Sequence, residues 1–283
     1  MARRIAAAYH MEPTSGLALT ARRLAVFSLV ATIVSVAVVR FGFLDFKPAL
    51  ATFFGALALA GLSILVGFLA FAAIWQDGSR GMSLILLAFL IDAIILAYPA
   101  YTYYQYRKLP AIHDITTDPI DPPRFDALAR LRAGDGANPA VYAGLYSAEQ
   151  QRRAYPDVEP ITLEVTPQRA YEIALQVVNR RKWLIIDERP PQPPQRIGRI
   201  EAVARTPVMG FREDVSIRIV PDSDGARVDV RSSSRYFEHD LGSNAARIVK
   251  FSEDMNEVVD NARPAKKSLV PAAKPQPKGP PKR

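Results

Sequence analysis

Two hydrophobic patterns divide the chain. The first is continuous. Residues 24–39 are uncharged and rich in Val, Ala and Leu, and with Phe41-Gly42-Phe43-Leu44 after Arg40 the run reaches about 20 residues, enough for roughly 30 Å of hydrocarbon. Residues 49–76 carry no charge over 28 positions, and residues 81–105 carry one, Asp92. The polar breaks between the runs are short: Asp45-Phe46-Lys47-Pro48, then Gln76-Asp77-Gly78-Ser79-Arg80. This predicts a three-helix transmembrane bundle over 24–106, antiparallel from one helix to the next, behind an N-terminal cytoplasmic segment, 1–23. Aromatic residues mark its interfaces, with Phe41, Phe43, Phe53, Phe54 and the tyrosines of 98–106 on one side and Trp75 on the other. On the second run Ala56, Ala60, Ser63 and Gly67 share one face, where small residues let helix backbones approach. Asp92, Ser63 and Thr32 are each near mid-span, and the reading brings the three together at the bilayer centre. An intramembrane acid suggests a proton or ion path, but no second ionisable residue lies at that depth, so a structural hydrogen bond is preferred.

The second pattern is periodic. Residues 107–160 are dense in Pro, Asp and Gly and read as an ordered strap, with a short helix opening at Asp121-Pro122 and running to Arg132. From 161 to 261 the periods alternate. Ile161, Leu163 and Val165 mark a strand, Thr166-Pro167 starts a helix to about Arg181, and 183–188 is a strand. Further strands lie around Ile200–Ala204, Val215–Ile219 and Val228–Val230, the last two joined by the loop Pro221-Asp222-Ser223-Asp224-Gly225. Ser243 or Asn244 caps a final helix carrying the stripe Ile248, Phe251, Met255, Val258 and Val259. The fold class is therefore a membrane α-helical anchor plus an α+β soluble domain, an antiparallel sheet with two helices on one face. Arg227, Asp229 and Arg231 are expected on the opposite, outward face.

Charge sharpens the division. Residues 1–110 hold nine Lys/Arg and four Asp/Glu, residues 111–261 hold 20 and 24, and residues 262–283 hold seven Lys/Arg and no acid. The overall +8 thus comes from the anchor and the tail, and the mildly acidic domain argues against nucleic acid as a partner. The tail, 262–283, reads as disordered, basic and Pro-rich, with anionic lipid or cell-wall polymer as its candidate partner. The chain has no Cys, which excludes thiolate catalysis, Cys-based metal sites, disulfides and lipoprotein acylation. Arg22-Arg23 before the first run favours a cytoplasmic N-terminus, which places residues 107–283 outside.

Two passages resemble a known family. One is His113-Asp114-Ile115-Thr116-Thr117-Asp118-Pro119 with Pro122-Pro123-Arg124-Phe125 behind it. The other runs Asp214-Val215-Ser216-Ile217-Arg218-Ile219, Val228-Asp229-Val230-Arg231-Ser232-Ser233-Ser234-Arg235 and Asp240-Leu241-Gly242-Ser243-Asn244-Ala245-Ala246-Arg247-Ile248. They resemble the bacterial and plastid domain of unknown function numbered 1499, over roughly 108–260. The resemblance implies an exported domain, hence a bacterial inner-membrane protein with a periplasmic domain, and it implies no reaction. From it and from the charges, the candidate ligand-binding or structural residues are His113, Asp114, Asp118, Asp214, Asp229, Arg231, Ser232, Ser234, Arg235, Asp240, Asn244 and Arg247.

Chemistry is sparse. His113-Asp114 and His239-Asp240 are too few for a metal phosphohydrolase site, and neither Gly-x-Ser-x-Gly, Ser-x-x-Lys nor a Gly-rich phosphate loop occurs. No metal and no cofactor is expected. Three functions stay open: a non-enzymatic binding or scaffold module of the cell envelope, which is preferred; an envelope enzyme acting on lipid or glycan through His113 and the aspartates; and a small transporter subunit using Asp92. The two signature passages are expected to meet in space, the strap docking His113 or Asp114 on the Arg231–Arg247 region.

Overall fold

The computed structural model describes residues 13–44, 46–132, 136–194 and 196–262. Residues 1–12 of the N-terminal segment and 263–283 of the tail lie outside the described residues.

Three helices long and apolar enough to cross a membrane come first: α1 (Gly16–Phe41), α2 (Phe46–Asp77) and α3 (Met82–Lys108). Their outward faces carry large apolar side chains such as Phe27, Ile33, Leu65, Phe68, Leu86 and Ile94, the surface of a helix solvated by lipid. The contact faces are small. The buried residues of α2 run Ala49, Phe53, Ala56, Ala60, Ser63, Gly67, Ala70 and Ile74, alternating steps of four and three. They meet Ala18, Ala21, Ala25, Ser28 and Ser35 of α1 and Ile85, Ala88, Asp92 and Ile95 of α3. The ring of Phe89 packs over Gly67, where a Cβ would lie 2.5 Å from it. Ser15 caps α1, so residues 16–23, expected to precede the first span, are helical, and Arg22 and Arg23 sit on its second turn.

The sheet is larger than the sequence pattern predicts. Strands β3 (Leu184–Arg189), β4 (Gly198–Arg205), β5 (Arg212–Asp222) and β6 (Gly225–Ser234) form an antiparallel meander. The far edge of β6 is shared end to end by β2 (Ile161–Leu163), paired with residues 226–228, and by β1 (Asp114–Thr116), paired with residues 231–233. Helices α6 (Pro167–Arg180) and α7 (Ser243–Ala262) pack on one face over a core of Ile115, Ile200, Val215, Ile217, Ile248 and Phe251. The domain is mixed α and β, as the alternation predicts.

Three details differ from the expectation. The strap contributes β1, whose outer backbone is satisfied by a side-chain amide: Thr116 N–H donates to Gln151 Oε1 (3.0 Å) and Gln151 Nε2 donates to Thr116 O (2.7 Å). That amide comes from a helix the sequence reading missed, α5 (Leu145–Ala154). Next, the helix expected from Asp121 is the short α4 (Ala127–Leu131), whose first amides, with that of Asp126, are accepted by the carboxylate of Glu201 on β4. Finally, the outward sheet face is not open to water. The strap with α4 covers it, and Asp229, Arg231 and Arg235 are buried. Alternation shows which face is apolar; it does not show that the polar face is wet.

Candidate functional site

Glu213 and Asp214 are neighbours on β5, so their side chains point to opposite faces of the sheet. Each anchors a separate polar network, and between them the two networks take up most of the residues singled out in the sequence.

On the strap face, Asp214 accepts from Arg132 Nε (2.7 Å) and from Arg235 Nε (2.9 Å). Arg231 makes a bidentate pair with Asp114, Nε to Oδ1 at 2.9 Å and Nη2 to Oδ2 at 2.6 Å. The pair is 3% and 1% exposed at the side chains, and the guanidinium lies over Phe125, 4.4 Å from the ring centre. Nearer the hairpin, Asp229 is shared by Arg218 and Arg227, and both arginines reach Asp118. Arg132 with Asp214, Asp114 with Arg231, and Asp118 with Arg218 and Arg227 join strap to sheet, while the pairs of Asp229 with the two arginines and of Asp214 with Arg235 stay within β5 and β6 and the residue after β6. Fork-shaped guanidinium groups suit this work, since each can hold a carboxylate and carbonyls at once. The hydroxyl of Tyr142 is buried close to Asp114 and Arg231, and burial first, then the Asp114 charge, pushes its pKa up to about 12.

On the helix face, Glu213 accepts from Ser234 Oγ (3.0 Å), Ser243 Oγ (2.5 Å) and Arg247. Asn244 donates to His113 O (3.0 Å) and Ser234 Oγ (2.9 Å) and accepts from Ser232 Oγ (2.7 Å). The cap of α7 is Asp240, not Ser243 or Asn244: its carboxylate accepts from the backbone N–H of Gly242 and of Asn244, each at 2.9 Å. Burial raises the Asp240 pKa, with those two amides pulling it back.

The two signature passages do meet. His113 O also accepts from Ser234 N–H (2.9 Å), and Asp240 N–H donates to Ile112 O (3.2 Å). The two His-Asp pairs stay apart in role: His239 Nε2 lies 3.0 Å from Leu109 O while Nδ1 accepts from Leu241 N–H, and the imidazole of His113 is half-buried, its pKa lowered first by burial. Among the described residues, no group of three His, Asp or Glu is placed to hold a metal.

In the bundle, Ser63 Oγ is 2.8 Å from Asp92 Oδ2 and 3.1 Å from Ala21 O. A hydroxyl carries one proton, so Ser63 donates to only one of the two. Thr32 does not join: its Oγ1 is buried without a partner, and the neighbouring link is Ser28 Oγ to Ala56 O at 3.0 Å. Thr32 is more than two turns of α1 away from Ala21, the helix position that meets Ser63.

The domain is clamped to the anchor at two places. At the α1–α2 turn, Arg40 Nη1 donates to Pro207 O (2.6 Å) and Arg205 Nη1 donates to Arg40 O (2.8 Å). Gly210, at φ +71°, lies so close that a Cβ would come within 3.1 Å of Arg40 Cα. Phe46 stacks on Tyr236 at 4.2 Å and meets Phe211 and Phe237 edge-on. The second clamp is the end of α3, where Tyr106 packs on His239 at 5.0 Å. Between the clamps lies a cleft of about 990 Å³. Tyr98, Tyr101, Thr102 and Gln105 of α3 form one wall; the β4–β5 loop from Thr206 to Phe211 with Arg212 at the start of β5, and the start of α7, form the others. Sequence reading missed this cleft and missed Arg132, Glu201, Glu213 and Tyr155. Only the Glu213-Asp214 doublet carried a readable signal, two acids side by side on one strand.

The family described as "Protein of unknown function (DUF1499)" matches residues 114–255, half of the chain. The chain belongs to that family. No curated protein and no solved structure matches it. The DUF1499 match begins at Asp114, the residue paired with Arg231, so β1 and the strap from Asp114 onward fall within it. The cleft is built where this DUF1499 domain meets its three-helix anchor.

Proposed function

We propose that this protein is an integral inner-membrane protein of the bacterial cell envelope whose DUF1499 domain is a non-enzymatic binding or scaffold module on the periplasmic side. One observation carries the reading. The charged signature residues are spent on pairs inside the domain: Asp114 on Arg231, Asp214 on Arg132 and Arg235, Arg247 on Glu213. Such pairs fix the strap and α7 on the sheet, and they leave the cleft at the membrane junction as the surface that a ligand reaches. Asp92 is a structural tie between helices in this reading, and the basic tail adds attraction for anionic lipid or cell-wall polymer. Arg22-Arg23 at the start of α1 and the exported character implied by the resemblance support the orientation. The test is a pair of fusions at Arg283. Alkaline phosphatase is expected to be active and a fluorescent protein dark; the reverse pattern assigns the domain to the cytoplasm and overturns the placement.

A further inference from the structure

The cleft deepens that reading, on which the following rests for the location of the binding surface. Its wall on α3 is the last turns of a membrane helix. Tyr98, Thr102, Gln105 and Leu109 follow one another at helical spacing, and all four are half-buried against the domain while their neighbours Tyr103, Tyr104 and Tyr106 stay exposed. Tyrosines at this position mark the headgroup level of a bilayer. The opposite wall is apolar and comes from outside the membrane: Val208 and Phe211 of the β4–β5 loop, Leu241, Ala245 and Val249 around the start of α7. A volume of about 990 Å³ is in the range of small-molecule sites.

The charges in the cleft divide into spent and open. Glu213 is held by Arg247, Glu253 by Lys250, and Asp240 caps α7. Lys108 and Arg212 line the same space, and neither has a carboxylate partner among the described residues; Lys108 lies only over the Tyr104 ring, at 5.9 Å. Asp157, also in the wall, is likewise without a cation partner. The phenol oxygen of Tyr155 is buried there with nothing to bond, although a buried hydroxyl normally finds a partner. Gly242, at φ +81°, passes close to it: a Cβ at Gly242 would lie 3.6 Å from the Tyr155 oxygen.

We propose that the cleft binds one phospholipid from the adjacent leaflet, its acyl chain between α3 and the β4–β5 loop and its phosphate between Lys108 and Arg212. Two open cations and one unspent hydroxyl suit a phosphate, which accepts several charge-assisted hydrogen bonds. The open carboxylate of Asp157 suits the ammonium of an ethanolamine head. The apolar wall suits a chain that is already at this depth. The chain's own tail, which follows Ala262, is a poorer occupant, because its seven basic residues do not match an apolar wall with two open cations.

The test uses the full chain in nanodiscs of phosphatidylethanolamine and phosphatidylglycerol, with a phosphatidylethanolamine probe carrying a photoreactive group on its acyl chain. Labelled peptides are mapped by mass spectrometry. Label is expected in 206–212 and 241–250, segments outside the spanning helices. Ala246 is exposed in the cleft, so Ala246→Trp is expected to obstruct it and to cut that label about tenfold, leaving the outward faces of α1–α3 labelled as before. The double variant Lys108→Glu, Arg212→Glu is expected to cut labelling by the phospholipid probe and not by a diacylglycerol probe. Limited proteolysis of the domain checks that each variant is folded. Label confined to the outward faces of the helices, domain label indifferent to Ala246→Trp and to the double variant, equal labelling by phospholipid and diacylglycerol, or label that appears only after residues 264–283 are removed would each overturn the proposal. Labelling is read in a symmetric nanodisc, so it fails or succeeds independently of the orientation that the fusions report.

Discussion

Arg231 is the residue whose removal should be felt most. It is 2% exposed, and four of the five guanidinium N–H donors have acceptors: two on Asp114, one on Pro123 O (3.3 Å) and one on Ala140 O (2.8 Å). Arg231→Ala leaves the Asp114 carboxylate, 1% exposed, without its counter-charge, and leaves two strap carbonyls without a donor. Breaking a buried pair from one side costs about 3–5 kcal/mol, a large fraction of the roughly 5–15 kcal/mol that holds a domain together. The double variant Asp114→Leu, Arg231→Met removes both charges and keeps apolar volume, which reverses the charge penalty, but the carbonyls of Pro123 and Ala140 stay unsatisfied. It should therefore fall between the native protein and Arg231→Ala, with a coupling energy above about 1 kcal/mol between the two sites. The chain has two tryptophans, so on a Trp75→Phe background Trp183 alone reports unfolding of the domain; its ring stacks on Phe251 at 5.7 Å. Denaturant titration of the full chain in detergent measures each loss, and proteolysis within 109–125 should rise with it. An Arg231→Ala loss below about 1 kcal/mol, or a double variant no better than Arg231→Ala, would refute the claim that this pair holds the strap on the sheet.

Two further outcomes follow from the geometry. Asp92→Asn keeps a hydrogen-bonding group beside Ser63 and should leave the bundle assembled, whereas Asp92→Leu should loosen it by about 1–2 kcal/mol, measured by thermal aggregation in detergent; loss of function in a folded Asp92→Asn protein would favour a proton path instead. Burial lowers the His113 pKa from its ordinary 6.5, so the unfolded chain binds that proton more tightly than the folded one. Its contribution to stability is complete above about pH 6.5 and declines as pH falls from there toward the folded pKa, so the denaturation midpoint should drop over that window and His113→Gln should flatten the slope; an unchanged slope would rule out His113 as its source.

The sequence by itself determined the elements whose signals are local. Length and lack of charge set the three spanning helices, and steps of four and three fixed the small-residue face of α2. Thr166-Pro167 set the start of α6, and period-two alternation set β5 and β6. Tertiary structure decided the rest. In β1, the run Asp-Ile-Thr has no amphipathic period long enough to read; it becomes a strand because β6 offers an unpaired edge and Gln151 satisfies the other side. Helix α4 starts at Ala127 because Glu201, 74 residues along the chain, supplies its first acceptor. Arg227, Asp229 and Arg231 read as outward-facing charges, and they are, but the surface they face is the strap. A charge in a strand looks the same in the sequence whether water or a carboxylate a hundred residues away solvates it, because the choice depends on which segment covers that face. The cleft is the extreme case: its walls come from α3, the β4–β5 loop and the start of α7, distant segments that only the clamps at Arg40 and His239 bring together.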